Sequence, residues 1–191
     1  MPTQLTEAAG LIADGFVPSL VILSLGGNNL SFTEFARDCL LISCPEIGDI
    51  KPTLAVMTEE LTAIYQQIDL LVNSPELTTQ RGSAAQILVT DYPLLIHPEF
   101  RLAIGSMQVE IGATAQIAEI QLALNAAIAK AVANSDNQRI TLVSVQDAFI
   151  GHQLGDTLSF VSITLHPNAR GYEALLTRIA AAADQLSAGA G

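Results

Sequence analysis

Six residues, Leu20–Leu25, form an almost continuously apolar run that ends at Gly26 and Gly27. Such a run is typical of a strand in a parallel sheet, because helices cover both faces of that kind of sheet. Two further runs with strand character follow, Gln86–Thr90 and Arg139–Val145. Helical patterns separate the three runs, so the sequence predicts an α/β fold with a parallel sheet covered on both faces.

Apolar residues at helical spacing predict the helices between these strands. They comprise a short amphipathic helix within Met1–Gly15, a helix from the capping-box pair Ser31 and Glu34 to about Leu41, a long helix after Pro52, a helix over 113–133, and a last helix capped near Asn168. The last helix is expected to bury Tyr172, Leu175, Leu176, Ile179 and Leu186. The stretch Leu94–Gly112 shows no clear period and is predicted to be a long loop.

Composition excludes several classes of protein. Half of the 191 residues are apolar, which supports one sizeable core and a single domain over residues 1–191. This apolar content argues against intrinsic disorder, and the richest apolar stretches are far shorter than the roughly 18 residues of a membrane span. Nineteen acidic and eight basic residues give a net charge of −11. Such a surface repels phosphate backbones, so no nucleic-acid partner is expected.

The N-terminal segment and the two cysteines bear on the compartment. Met1–Gly15 has no basic start and no long apolar run, so it is not interpreted as a secretory signal. Cys39 and Cys44 are five positions apart, too far to bridge within one continuous helix, so a disulfide requires the helix to end between them. Pro45 makes such an end plausible. A disulfide, which favours an oxidising compartment, and two buried thiols are both compatible with the sequence.

Two loops that carry polar residues are expected at one edge of the sheet. Gly26–Asn29 follows the first strand, and the segment that ends at His166 follows the third. Active groups of parallel α/β folds collect at the carboxyl ends of the strands. The three histidines and two cysteines have no metal-ligand spacing, so the sequence predicts neither a metal site nor a cofactor.

These same segments carry a resemblance to a family. Leu20–Phe32, with Gly26-Gly27-Asn28-Asn29 at its centre, resembles the third conserved block of SGNH (GDSL-type) hydrolases. Leu165–Tyr172 resembles their last block, His-Pro-Asn-x-x-Gly. Val89–Pro93 and Phe149–His152 are similar to two motifs of the secreted esterase branch. The four matches occur in the family's order and cover most of the chain.

The resemblance implies a fold and an activity. The fold is a flavodoxin-like three-layer α/β/α sandwich with five parallel strands, of which this chain shows the last three, so the domain is a partial one. The activity is hydrolysis of carboxylic esters by a serine esterase, with a small ester as substrate. His166 is then the general base, and the Asn28 amide is a donor in the oxyanion hole.

The chain also departs from the family pattern. The Gly-Asp-Ser block with the nucleophilic serine is not found, nor is the glycine of the second block. Ile163 stands where the last block has Asp, and Asn29 replaces the Asp of Gly-Gly-Asn-Asp. Other serines are weak candidates for the nucleophile: Ser106 faintly imitates a Gly-x-Ser start, Ser24 is expected inside a buried strand, and Ser31 is expected to cap a helix.

Three hypotheses remain. In the first, the chain is the C-terminal portion of a serine esterase, and a complementing chain, self-association or the N-terminal helix covers the edge of the first strand. In the second, it is a catalytically inactive binding or interaction module, in which His166 enters a helix and Asn28 forms a turn. The third is an unrelated flavodoxin-like binder. His97 is interpreted as a loop residue and His152 as a structural one.

Overall fold

The computed structural model describes residues 4–41, 44–97, 101–104, 107–110, 113–162 and 165–189. The helices and strands, in chain order, are α1 (Gln4–Ala13), β1 (Leu20–Leu23), α2 (Phe32–Leu41), α3 (Ile47–Val72), α4 (Pro75–Arg81), β2 (Gln86–Thr90), β3 (Arg101–Ile104), β4 (Met107–Glu110), α5 (Thr114–Asn134), β5 (Ile140–Val143) and α6 (Ala169–Gly189).

The centre of the fold is a parallel sheet with strand order β1-β2-β5. Helices cover both faces of the sheet. Ile87 and Val89 of β2 point to the face on which α3 and α5 pack together. Leu88 points to the opposite face, where it packs with residues of α6. The predicted three-layer α/β/α architecture is confirmed.

The stretch predicted to be a long loop contains two strands. β3 and β4 pair in antiparallel orientation, with Leu102 opposite Val109, so the loop prediction is wrong there. The sequence carried the signal, because both strands have apolar residues at alternate positions and Gly-Ser, a typical hairpin connection, separates them.

Two helix predictions also need correction. The long helix begins at Ile47, before Pro52, because the Asp49 side chain accepts a hydrogen bond from the Glu46 N–H, 3.2 Å, at the start of the helix. α4 is an additional short helix. Ser74 caps it by accepting a hydrogen bond from the backbone of Leu77, and Pro75 occupies its first turn.

The apolar stripe of α6 is narrower than predicted. Leu175, Ile179 and Leu186 pack against the sheet as expected. Tyr172 and Leu176 are instead 53% and 63% exposed. The reason is that α6 packs on β2 and β5, so side chains on its outer flank have no strand beneath them.

A disulfide joins Cys39 to Cys44, with their Cα atoms 4.2 Å apart. α2 ends at Leu41, between the two cysteines, so the helix end that the spacing required is present. The bridge ties the end of α2 to the residues that lead into α3.

β1 is an edge strand with one uncovered face. The Gln86 N–H donates to the Ser19 carbonyl, 3.1 Å, so the alternation of a parallel ladder directs the peptide groups of Leu20 and Ile22 away from β2. Ile22 is level with Leu88, which is fully buried, yet Ile22 is 49% exposed. The expectation that both faces of this strand are covered is wrong, because α6 does not extend over β1.

An ion pair joins the buried Asp69 of α3 to the partly exposed Arg139, which directly precedes β5. Arg139 donates from Nε and Nη2 to the two carboxylate oxygens of Asp69, at 2.9 and 2.6 Å. Asn73 donates to Oδ1 of the same carboxylate, 2.8 Å. The hydrogen bond from Arg139, more than any other interaction, holds the pKa of Asp69 below its usual value.

This ion pair should make stability depend on pH. Arg139→Ala leaves the buried Asp69 carboxylate without its main partner, and we expect a loss of about 2 kcal/mol of unfolding free energy near neutral pH. Because the folded-state pKa of Asp69 is lowered, the stabilisation is present above the unfolded-state pKa and disappears as the pH falls through the folded one. Urea unfolding across this acid range measures the effect.

The matched control is Arg178→Ala. Arg178 pairs with Asp147 at 3.3 Å, and about half of each side chain is exposed. Its loss should change the unfolding free energy by at most about 0.5 kcal/mol at any pH. Equal effects of the two substitutions would contradict the role given to Asp69.

Candidate active site

A cleft of about 280 Å³ lies at the carboxyl ends of the three parallel strands. Asn28, from the loop after β1, and His166, from the loop after β5, both line it. Both side chains are exposed to solvent. The structure therefore brings together the two residues that the sequence singled out. The apolar wall of the cleft is formed by Phe32, Pro93, Leu95, Leu124, Val145, Leu165, Pro167, Leu175 and Ile179.

The loop that carries Asn28 is a tight turn between β1 and α2. Gly26 has a φ of +109°, in the left-handed region that favours glycine. Backbone N–H groups of Ser31 and Phe32 donate to the carbonyls of Asn28 and Gly27, both at 3.0 Å. These hydrogen bonds turn the chain directly into the first turn of α2, with Asn28 at the mouth of the cleft.

Asn29, next to Asn28, has a different environment. Its side-chain amide donates to the Glu60 carboxylate on α3, 3.2 Å. It is absent from the residues that line the cleft. Asn29 thus tethers the loop to α3.

The turn after β2 is held by two buried amides of α5. The Asn125 side chain accepts a hydrogen bond from the Tyr92 N–H, 3.0 Å, and donates to the Tyr92 carbonyl, 2.7 Å. Gln121 donates to the Pro93 carbonyl and accepts from the Leu95 N–H. The N–H and the carbonyl of Tyr92 are both hydrogen-bonded to the Asn125 side chain. The Tyr92 side chain therefore extends from a backbone that is held in place.

The Tyr92 hydroxyl connects this turn to the loop of Asn28. It accepts a hydrogen bond from the Gly27 N–H, 3.0 Å. A Cβ at position 27 would lie 2.9 Å from the same hydroxyl oxygen, so a side chain there fits only if the Tyr92 ring moves. The approach of Tyr92 therefore favours glycine at position 27.

The structure at the start of α6 explains why Asn and Gly occur in the pattern His-Pro-Asn-x-x-Gly. The Asn168 side chain accepts from the N–H groups of Arg170 and Gly171, at 3.0 and 3.1 Å, and so caps the helix. A Cβ on Gly171 would lie 2.5 Å from the Phe160 carbonyl oxygen, so the helix packs against residue 160 only with glycine there. His166 directly precedes this structure, and Ser162 donates from N–H and Oγ to the His166 carbonyl.

Asp91 is a cleft residue that the sequence analysis missed. Its buried carboxylate accepts from Ser144 Oγ, 2.7 Å, and from the Val145 N–H, 2.6 Å. It follows β2 directly, and a carboxylate just after a buried strand was the available signal. Asp91 joins the carboxyl ends of β2 and β5 and adds negative charge to the floor of the cleft.

Two aliphatic hydroxyl groups, those of Ser24 and Thr90, line the cleft. Ser24 follows β1, is exposed and lines the cleft, so the expectation that it lies inside a buried strand is wrong. Thr90 also lines the cleft, but it is buried and donates to the Leu23 carbonyl, 3.4 Å. Ser106 and Ile163 lie outside the described residues.

The other two histidines do not line the cleft. His152 Nδ1 lies 3.0 Å from the Leu158 carbonyl oxygen, and the ring stacks on Phe160 with centroids 4.0 Å apart. His97 lies at the end of the turn after β2, where its N–H donates to the Leu154 carbonyl. Within the described ranges, no three His, Cys, Asp or Glu side chains converge as metal ligands.

Two solved structures share this architecture. The extracellular lipase from Streptomyces rimosus aligns with a TM-score of 0.51 and 22% identity, covering 85% of this chain and 71% of the lipase. Phospholipase A1 from Streptomyces albidoflavus aligns with a TM-score of 0.50 and 21% identity, covering 89% and 75%. No family model and no curated protein matches the chain.

Both of these enzymes are SGNH (GDSL-type) hydrolases, so the chain has the fold of that class. The likeness inferred from the four sequence motifs is confirmed at the level of the fold. Every helix in the described part of the chain is too short or too polar to cross a lipid bilayer.

The contact between Gly27 and Tyr92 can be tested by substitution. Gly27→Ala should displace the hydroxyl and break its hydrogen bond, which should cost about 1–2 kcal/mol of unfolding free energy. Gly10→Ala is the matched control, because position 10 lies in α1 with no atom within 4 Å of the added Cβ. This control should be stabilised by roughly 0.5–1 kcal/mol. Denaturant unfolding of both variants measures the difference in unfolding free energy. An equal gain in unfolding free energy for both variants would contradict the contact between Gly27 and Tyr92.

Proposed function

We propose that the chain forms part of the active site of a serine ester hydrolase, with His166 as general base and Asn28 as oxyanion donor. The observation that carries the proposal is that these two residues, from loops far apart in sequence, line one cleft in a fold shared with a lipase and a phospholipase. The apolar wall of the same cleft suits the acyl chain of a small ester.

The chemistry follows from these side chains. A serine hydroxyl attacks the ester carbonyl carbon, and its proton passes to the His166 imidazole. The Asn28 amide donates a hydrogen bond to the carbonyl oxygen as that oxygen gains negative charge. The imidazolium then gives its proton to the departing alcohol. Water, deprotonated in turn by His166, releases the acid and restores the serine.

The serine has two candidate sources. One is this chain, in which Ser24 lines the cleft. The other is a second polypeptide that pairs with the free edge of β1, since a parallel strand placed there would also end at the cleft. We favour the second source, because Ser24 occurs in none of the motifs that carry the family's nucleophile.

The surface beside β1 supports such a partner. A groove of about 640 Å³ runs between α1, β1 and α3, and Gln4 is the one polar residue among those that line it. Leu11, Phe16 and Ile22, all exposed, surround the groove. The outward peptide groups of β1 offer hydrogen bonds that an extended polypeptide can satisfy. A second copy of this chain is the other occupant consistent with this surface.

A fluorophosphonate probe tests the proposed function. We expect any covalent adduct, measured by intact mass, to require the cleft residues. His166→Ala should abolish labelling, because no base then accepts the serine proton. Asn28→Ala should slow it by about 100-fold or more, as loss of one oxyanion donor does. Asn29→Ala, the matched control next in sequence, removes a side chain that does not line the cleft and should change the rate far less than Asn28→Ala.

Peptide mapping then assigns the serine to this chain or to a bound polypeptide. Labelling that persists in His166→Ala would contradict the proposed base. A folded chain that takes no adduct, alone or in its complex, would favour the alternative function, a catalytically inactive binding or interaction module of the same fold.

The free edge of β1 makes a separate prediction. We expect the chain to self-associate or to bind a second polypeptide, with a mass by light scattering above the 20.1 kDa of one chain. Ile22→Lys should reduce this association at least tenfold, because a charged edge residue opposes strand addition. Ile150→Lys, which changes an isoleucine that is 62% exposed elsewhere, should not. A stable monomer that does not bind a dye specific for exposed apolar surface would refute the predicted association.

A further inference from the structure

Tyr92 has a hydroxyl proton that the described structure leaves available to the cleft. A phenol can accept hydrogen bonds and can donate one. The Tyr92 oxygen accepts from the Gly27 N–H, and within the described residues this is the hydroxyl's one hydrogen bond. Tyr92 lines the same cleft as Asn28 and His166. The described residues therefore leave this hydroxyl proton without an acceptor.

The neighbouring Tyr65 does not take up this proton. Tyr65 is fully buried, and its hydroxyl has no hydrogen-bond partner among the described residues. Burial, and to a lesser extent the nearby Tyr92, raise the pKa of Tyr65 above its usual value. Tyr65 thus stays a neutral phenol away from the cleft, and it provides an internal comparison for Tyr92.

The Tyr92 hydroxyl is also held in place before any ligand arrives. Asn125 bonds both backbone groups of Tyr92, and Gly27 bonds its hydroxyl. Gly27 directly precedes Asn28, so the phenol and the Asn28 amide are held at the same loop. A donor fixed in this way needs no reorganisation when charge develops on a substrate oxygen.

We infer that the Tyr92 hydroxyl is a second side-chain donor to the substrate carbonyl oxygen, beside Asn28. Because the Gly27 N–H is engaged by Tyr92, the phenol replaces that backbone group as a donor to the ligand. Accepting this hydrogen bond polarises the hydroxyl and strengthens the one it donates. The identity of the ligand as an ester carbonyl rests on the proposed function, whereas the donor itself requires no nucleophile.

Binding of octanamide tests the inference, because this neutral amide has a carbonyl and an acyl chain and cannot be cleaved as an ester. Calorimetric titration of the chain should show binding that Tyr92→Phe weakens about 5- to 10-fold, the value of one hydrogen bond. In Tyr92→Phe, the ¹³C chemical shift of the bound octanamide carbonyl should lie closer to its value in free octanamide than it does in the wild-type chain. Tyr65→Phe removes the neighbouring hydroxyl and should change neither quantity.

A further variant separates direct donation from positioning of the loop. O-methyltyrosine at position 92 keeps an oxygen that can accept from the Gly27 N–H but has no proton to donate. We expect it to bind octanamide as weakly as Tyr92→Phe, while hydrogen exchange of the Gly27 amide stays slow. Wild-type affinity in this variant would overturn the inference, since Tyr92 would then act only through the loop.

The proposed hydrolase activity and the proposed Tyr92 donor are contradicted by different results. Octanamide binding that depends on Tyr92, in a chain whose fluorophosphonate adduct does not depend on His166, supports the donor and contradicts the proposed base. Labelling that depends on His166, with octanamide affinity unchanged by Tyr92→Phe, overturns the donor and supports the hydrolase. Absence of octanamide binding to the folded wild-type chain also overturns the donor.

Discussion

The geometry of the cleft depends on two buried amides of α5. Asn125 and Gln121 bond four backbone groups of the turn after β2. A turn in this position would otherwise leave buried peptide groups without partners, at a cost of about 1–3 kcal/mol each. By holding Tyr92, the two amides also hold Gly27 and thus the loop of Asn28. A helix that contributes no group to the proposed chemistry therefore determines where the chemistry can take place.

The sheet is covered unevenly, and this asymmetry places the proposed partner surface beside the cleft. α6 packs on β2 and β5, which leaves Leu20 and Ile22 of β1 exposed on that face. The outer edge of β1 has neither a charge nor a proline to prevent strand addition. Since β1 ends at the cleft, whatever pairs with this edge also approaches Asn28. The direction of one strand thus links the proposed partner binding to the proposed activity.

Much of this arrangement could be predicted from local sequence. Gln86–Thr90 was predicted with its observed bounds, because a short apolar run between polar segments has few other structures open to it. Asn28 and His166 were singled out because the motifs around them resemble conserved blocks of a known family, and the structure explains the glycines and Asn168 of those motifs by the backbone geometry they allow. The hydrogen-bond partners of Asp91 and Tyr92 could not be found in this way, although the position of Asp91 directly after a buried strand was a signal. Their partners, Val145 and Gly27, are distant in sequence, and single side chains after a strand show no periodicity.

The sequence by itself determined the alternation of strands and helices, the turn at Gly26 and the capped start of α6, because each depends on hydrogen bonds and dihedral angles within a few residues. Only the tertiary structure decided which face of β1 remains exposed, that Ser24 lies in the cleft, and that the Tyr92 hydroxyl meets the Gly27 N–H. These features depend on how far α6 reaches across the sheet and on the amides with which α5 holds the turn. Both are results of packing between elements distant along the chain, and no local pattern of residues records them.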